Sequence, residues 1–488
     1  MGIGQNFEII PTEYIETLDN SAFTSFLHSL AQERDDKSSK FVSVTLPIAG
    51  IDPLAALELY PNADEKFYWD HPENSISISA SGKMAELKAT GSNRFAEISQ
   101  KSAEIKQQIA AYTAISHSMA GPLFLGGYSF NDHNIGKLWN RFGAARFVLP
   151  EWMLIRNGNL HLLTLIFEKQ GREVHELYQE IIEKVTHFIK LAGDLTPCRN
   201  EAPQQENILC TLQQPDDKQR WLKNVEEARS LIKQKKFEKI VIARSIEVES
   251  RHRLQPTVMS HNLRQKYPGC YNFLIQVDED TSFIGATPER LASFKNGVFL
   301  TEGLAGSISR GKSAIEDAAL ANSLMKSDKD RSEHQYVVHD IDNSLKPFSY
   351  RVEHPKQPQV KKLQNVQHLF TPITASIKDG VQIHELIEKL HPTPAVGGFP
   401  KEQSTRHIQH IEQIERGWYS APVGWFNLNG CGEFAVAIRS ALLHKNKAWV
   451  YAGCGIIEDS DPETEWDESL MKFRPMLDAL NHLQFTHD

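Results

Sequence analysis

Two of the chain's three Asn-Gly pairs, Asn157-Gly158 and Asn296-Gly297, each lie between apolar runs. Asn and Gly accept the positive φ of a tight two-residue turn, so each pair predicts an antiparallel hairpin. Period-two alternation at 41–48 and in SISISAS (75–81) predicts further, half-buried strands. Helical periodicity is interleaved with them: Leu177, Ile181, Val185 and Ile189 recur at four-residue steps within 173–191. Further on, the pattern predicts a helix over 218–235, a strand over 239–248, a helix over 258–266 and a β-rich block over 271–303. Helices at 313–327 and 329–345 follow, then strands at 433–443 and 449–453 and a closing helix over 462–480. Hairpins mixed with helices in this way predict an α+β fold.

The stretch 194–217 carries three Pro and many polar groups. It predicts a break near residue 205, between an N-terminal α/β part (1–205) and a C-terminal region (206–488). A net charge of −9 argues against nucleic-acid or anionic-membrane binding, both of which want a positive field. The most apolar region, 160–167, is far shorter than a membrane span and reads as a core strand. The sequence MGIGQNFEII lacks the basic-then-apolar layout of a secretory signal, and Asn6 stands where a myristoylation signal wants Ser or Thr. Five cysteines (198, 210, 270, 431, 454) without CxxC spacing predict neither a disulfide framework nor a zinc site. A cytoplasmic protein is expected.

The stretch Gly306–Ser313 satisfies the phosphate-loop pattern GxxxxGK[ST]. Polar Thr301-Glu302 interrupt its approach, the preceding block reads as an antiparallel hairpin, and no apolar strand ending in a magnesium-holding Asp follows. A glycine turn entering a helix is the favoured reading, and a nucleotide hydrolase the disfavoured one.

The end of the chain carries more chemistry. Ser460-Asp461-Pro462-Glu463 has capping-box spacing, so a helix starts there. Glu465, Glu468 and Lys472 then share one helical face. By itself this fits a solvated face with a Glu468–Lys472 ion pair. Just upstream, however, Gly453 and Gly455 allow close backbone approach to a ligand. Two carboxylates and a lysine beyond such a turn suit a carboxylate ligand bridged by magnesium, which prefers oxygen donors. Glu333 is a further candidate, because its helix places it in line with Val337 and Ile341, an expensive place for an unpartnered charge.

Several segments, in order, resemble chorismate-utilising enzymes: FEKIVIARS (237–245), FIGATPERL (283–291), LHPTPAVGGFP (390–400), ERGWYSAPVGW (415–425), GEFAVAIRSAL (432–442), and YAGCGII (451–457) with SDPETEWDE (460–468). The resemblance is dense over about 215–480 and closest to the isochorismate-forming branch. It implies the family's α+β chorismate-binding fold, with large mixed or antiparallel sheets packed against helices. It also implies an isomerase, with magnesium bridging the substrate's ring carboxylate to Glu333 and Glu468, Glu465 alongside. Lys239 would activate water for attack at C2, and Glu289 would be the acid assisting loss of the C4 hydroxyl. A lysine acting as base near neutral pH must be kept unprotonated by burial or nearby positive charge, and the glutamate must conversely stay protonated. Arg439, Tyr419, Lys472 and the backbone at Gly453 would grip the two carboxylates, with His391 and Gly306 lining the ring.

Three positions discriminate within the resemblance. Amine-transferring relatives lack the lysine found here as Lys239; aminodeoxychorismate synthases carry a nucleophilic lysine where this chain reads Gly303-Leu304-Ala305-Gly306; salicylate synthases tend to Thr where this chain has Ala395. All three imply isochorismate as the released product. The resemblance further implies a monomer. The segment VTLPIAGIDPLAAL (44–57) leans towards menaquinone or phylloquinone pathways, with siderophore and salicylate pathways as alternatives. A catalytically dead chorismate-binding scaffold is disfavoured, because every required residue type is present.

Overall fold

Both Asn-Gly turns close hairpins: Trp152–Asn157 pairs with Leu160–Glu168, and Arg290–Lys295 with Val298–Ser309. Asn296 (φ +52°) and Gly297 (φ +76°) both occupy the left-handed region that the turn demands. The computed structural model describes residues 18–480 except 19, 34–38, 61–63, 133–134, 170–171, 194–209, 213–215 and 365. The expected break near 205, and Cys198, therefore lie outside the described residues.

The described strands form a thirteen-stranded and a ten-stranded sheet. Every pairing among them is antiparallel except that of Phe41–Pro47 with Ile109–Thr113. Strands from both sides of the expected break share both sheets: Lys66–His71 pairs with Tyr271–Gln276, and Leu123–Tyr128 with Pro422–Asn427. The larger sheet is buried on both faces. Alternate residues of one strand enter different cores: Phe273 packs with Trp69, Trp139 and Phe283 between the sheets, whereas Leu274 packs outward with Phe188, Met259 and Phe473. Helices Ser21–Ala31, Val174–Gly193, Pro256–Lys266 and Pro462–Leu480 contribute to that outer core.

This layering corrects one expectation. Strands Phe41–Pro47 and Ile76–Ser81 are not half-buried; Ser43, Ser77 and Ser79 are as inaccessible as their apolar neighbours. Period-two alternation reports polarity, and here helix Pro53–Leu59 packs on the strand of Ser77 and Ser79, while Ser43 shares the face of Phe41, which belongs to the core between the sheets.

The phosphate-loop pattern also dissolves. Gly306 lies inside the strand Val298–Ser309, at a bulge (φ +75°) where pairing with Val366–Ile377 slips by one residue. The N–H groups of Gly311 and Lys312 already donate to Asp317 Oδ1 (3.0 Å) and Glu316 Oε2 (2.7 Å), so a phosphate would face carboxylates there.

The chain passes between the two sheets at two neighbouring places. Strand Thr281–Thr287 of the large sheet gives way, across Pro288 and Glu289, to Arg290–Lys295 of the small one. The strand expected over 433–443 is in fact two, Gly432–Val436 in the small sheet and Ser440–His444 in the large one. Arg439, at φ +50°, makes that corner. The corners are stitched together by Val436 N–H to the Glu289 carbonyl (3.1 Å) and Ala286 N–H to the Arg439 carbonyl (3.1 Å). Corner residues leave the sheet ladders, so their side chains are free to serve a site.

Candidate active site

A cavity of about 220 Å³ opens where these corners meet the helices Asp328–Leu345 and Pro462–Leu480. All of the residues singled out from the sequence line it, except Lys239 and His391.

Its acidic wall comes from the last helix. Pro462 opens that helix, and Asp461 Oδ1 accepts the Thr464 N–H at 2.9 Å. The cap is thus Asp461 and not the expected Ser460, whose hydroxyl instead accepts the Ile457 N–H (3.2 Å). Glu465 and Glu468 present carboxylate oxygens within 4.8 Å of each other. Burial, and then the neighbouring Glu468 carboxylate, push the Glu465 carboxyl up to about 7. Lys472 Nζ is 2.6 Å from Glu468 Oε1 and donates to the Gly453 carbonyl at 2.8 Å. The other stripe of the helix is fixed by a residue that sequence reading missed. Arg244 stacks its guanidinium on Trp466 (3.8 Å) and Phe473 (4.7 Å), and its Nε donates to Ser469 Oγ at 2.9 Å.

Glu333 projects from the middle helix, which buried Val337 and Ile341 anchor. Its Oε1 lies 2.8 Å from Lys239 Nζ, whose side chain is fully buried. Lys239 therefore sits one layer behind the cavity wall, screened by Glu333. Gly455 makes this possible: a Cβ there would fall 2.8 Å from Glu333 Oε1 and 3.0 Å from Lys239 Cε. The room expected for a ligand at this glycine is taken up by the Lys239–Glu333 pair.

The opposite wall is built for carboxylate recognition. Arg439 points from its corner, half-buried, beside Tyr419, whose ring stacks on Tyr451 (5.0 Å between centroids). Burial pushes the Tyr419 hydroxyl up to about 12, so it remains a hydrogen-bond donor. Glu289 is 4% exposed, and burial followed by the Glu302 carboxylate pushes its carboxyl up to about 8. It is thus a neutral acid at pH 7, as its expected role requires.

The family model for chorismate binding enzymes matches residues 25–481. The chain belongs to the chorismate-binding enzyme family. It is 33% identical to isochorismate synthase MenF of Bacillus subtilis (strain 168) over 474 residues, 96% of this chain and 99% of that one. It is 34% identical to the salicylate biosynthesis isochorismate synthase of Pseudomonas aeruginosa, over 88% of this chain and 89% of that one. Its fold matches the solved structure of the menaquinone-specific isochorismate synthase MenF of Escherichia coli, with TM-score 0.74, 24% identity and coverage of 95% and 100% of the two chains.

Within this candidate site one expectation changes and two lining residues were missed. His391 is not on the wall: its Nε2 lies 3.1 Å from the Phe130 carbonyl, its ring packs edge-on against Phe130, and burial holds it neutral. A histidine beside apolar residues became a core residue. The imidazole that does line the cavity is His368, Nδ1 2.9 Å from Ser307 Oγ. Lys329 was also missed; its Nζ is 3.6 Å from Glu465 Oε1, and its position one turn before Glu333 could have revealed it.

Arg416, itself on the cavity wall, forms a buried ion pair with Glu412 that ties separate segments of the chain together. Glu412 accepts the Ala243 N–H (2.7 Å), while Arg416 donates to the carbonyls of Val241 and Val396 (2.9 Å each). Glu412→Ala should cost ~3–5 kcal/mol of stability, because it strands a buried guanidinium. Breaking the exposed Arg406–Glu402 pair should cost at most ~1 kcal/mol. Denaturant unfolding of the two variants checks the contrast.

Proposed function

We infer that the protein is an isochorismate synthase, an isomerase that converts chorismate to isochorismate. The observation that carries this reading is a neutral buried carboxyl, Glu289, facing the same cavity as a cluster of carboxylates and an arginine–tyrosine grip. The similarity to named isochorismate synthases, over nearly the whole chain, supports it. Lys239, an ammonium while paired with Glu333, must first give up its proton. As the free amine it takes a proton from the water that adds at C2, the ring double bonds shift, and the C4 hydroxyl leaves as water with the proton of Glu289. Arg439 and Tyr419 orient a substrate carboxylate, and Lys472 adds positive charge nearby.

Magnesium is part of the proposal, and the donor set suits it. The wall offers carboxylate oxygens from Glu333, Glu465 and Glu468, the hard ligands this ion prefers. Cys454 lies in the same cluster, but burial keeps it a thiol and its Sγ donates to the Glu465 carbonyl (3.4 Å), so the soft-metal alternative loses its ligand. The three glutamates would hold the ion, which supplies positive charge opposite the substrate's ring carboxylate.

Leu304, Ala305, Gly306 and Ala395 line the cavity, which supports reading two of the three product-discriminating positions as neighbours of the ring, with Lys239 one layer behind. We read the released product as isochorismate for quinone biosynthesis, in line with the MenF relatives, in a cytoplasmic monomer. Among the described residues no helix is long and apolar enough to cross a membrane. Chromatography after incubation with chorismate and magnesium tests the reading: isochorismate is expected, salicylate with pyruvate would reassign the product, and unchanged chorismate would sink it. The acid also predicts a pH profile. Glu289 donates only while protonated, so kcat/KM should fall as pH rises through about 8. In Glu289→Gln, turnover should be lost across the whole range.

A further inference from the structure

Glu289 stands on the short passage between the sheets, and one ion pair grips the peptide groups on both sides of it. Glu302, buried in the adjoining strand Val298–Ser309, accepts the Arg290 N–H on Oε1 at 2.9 Å. The same oxygen is 3.1 Å from Lys361 Nζ, and that ammonium donates to the Pro288 carbonyl at 2.9 Å. Lys361 comes from Gln359–Lys362, a strand paired with Val366–Ile377, so the clamp reaches across three strands of the small sheet. Neither Glu302 nor Lys361 lines the cavity.

We propose that Glu302 and Lys361 are positioning residues for Glu289, fixing the two peptide units that flank it so that its carboxyl is presented to the substrate as a proton donor. This rests on the reading of Glu289 as the acid. The Glu289 carbonyl accepts the Val436 N–H and the Glu289 N–H meets Thr287 Oγ1, and the clamp holds the other end of each of these two peptide units. Misplacement of a reacting group by about 1 Å is enough to cost ~10²-fold in rate.

The pair also has an electrostatic signature. The charges that act on Glu289 are Glu302 and Lys361 from the clamp, Lys239 from the strand Lys239–Glu249, and Arg439 from the neighbouring corner. Glu302 favours the neutral carboxyl, and the three cations favour the ionised one. Removing one charge at a time must therefore move Glu289 in opposite directions.

The test is the pH profile of kcat/KM for Glu302→Gln, Lys361→Met and the double variant, at saturating magnesium. Glu302→Gln keeps an acceptor for Arg290 but loses the charge, and should move the basic limb down by about half a unit or more. Lys361→Met should move it up. Both should lower kcat by ~10-fold or more with KM within about twofold, since neither residue touches substrate. The double variant leaves neither charge unpaired and should lower kcat with little movement of the limb. Limbs that stay put or move the same way in both single variants overturn the proposal. If either single variant does not fold, an undiminished kcat in the double variant does so. Glu289→Gln separates the layers: surviving turnover there overturns the acid assignment and the clamp with it, whereas lost turnover with unmoved limbs elsewhere overturns the clamp alone.

Discussion

Lys239→Ala is expected to abolish measurable turnover, with kcat lowered by ~10²–10⁴-fold, the usual contribution of a positioned general base. Water is a weak nucleophile, and Lys239 is the lysine held against Glu333 and Gly455, whereas Lys329 and Lys472 of the same cavity pair with Glu465 and Glu468. Magnesium-dependent binding of chorismate should survive, because Arg439, Tyr419 and the carboxylates are untouched. The ion pair adds a control. Removing the ammonium strands Glu333, 2.8 Å away and partly buried, so the variant should also lose stability. Lys239→Ala, Glu333→Gln removes both charges and should recover stability without recovering turnover. Equilibrium binding, unfolding and product formation by the three proteins separate these effects. Near-normal turnover in Lys239→Ala would sink the mechanism.

The second large effect is expected at the metal site. Outer-shell partners alone are worth ~10–100-fold in metal affinity, so loss of a ligand should exceed that range. Glu468→Gln, Glu465→Gln and Glu333→Gln should each lose activity that added magnesium restores only in part, and a chelator should silence the unmodified enzyme reversibly. Glu468→Gln carries a further consequence. Its carboxylate is 2.6 Å from Lys472, which also holds the Gly453 carbonyl, so the substitution should loosen the Tyr451–Gly455 wall as well. Magnesium titration followed by calorimetry gives affinity directly, and activity indifferent to chelator would refute the metal assignment.

Much of this site was legible before any coordinates. Helical spacing placed Glu465, Glu468 and Lys472 on one face, and they do share one wall of the cavity. The same reasoning put Glu333 in line with Val337 and Ile341 and flagged its need for a partner, which turned out to be Lys239. Local pattern failed where the neighbour came from far along the chain. Arg244 read as one residue of a strand, yet its role is set by Trp466 and Phe473, more than two hundred positions away. His391 read as a ring contact because its segment belongs to the site, but its own imidazole turns into the core against Phe130.

The negative balance of the chain argued against a nucleic-acid partner but was silent about a small dicarboxylate. Locally the sign is set by Arg439, Lys472 and Lys329 beside the acids that would hold magnesium. The order of elements, the two hairpins and the identity of the reacting groups are properties of the sequence alone. The first two follow from periodicities and turn chemistry, which do not depend on distant neighbours, and the expected reacting groups from the resemblance of the segments carrying Lys239 and Glu289 to the family. Which groups are buried, and hence which are protonated, was decided only by the tertiary structure. Two sheets had to meet at the Pro288–Glu289 and Arg439 corners before Glu289 could lose its water and keep its proton. Burial is a property of everything packed around a residue, and no window of sequence contains it.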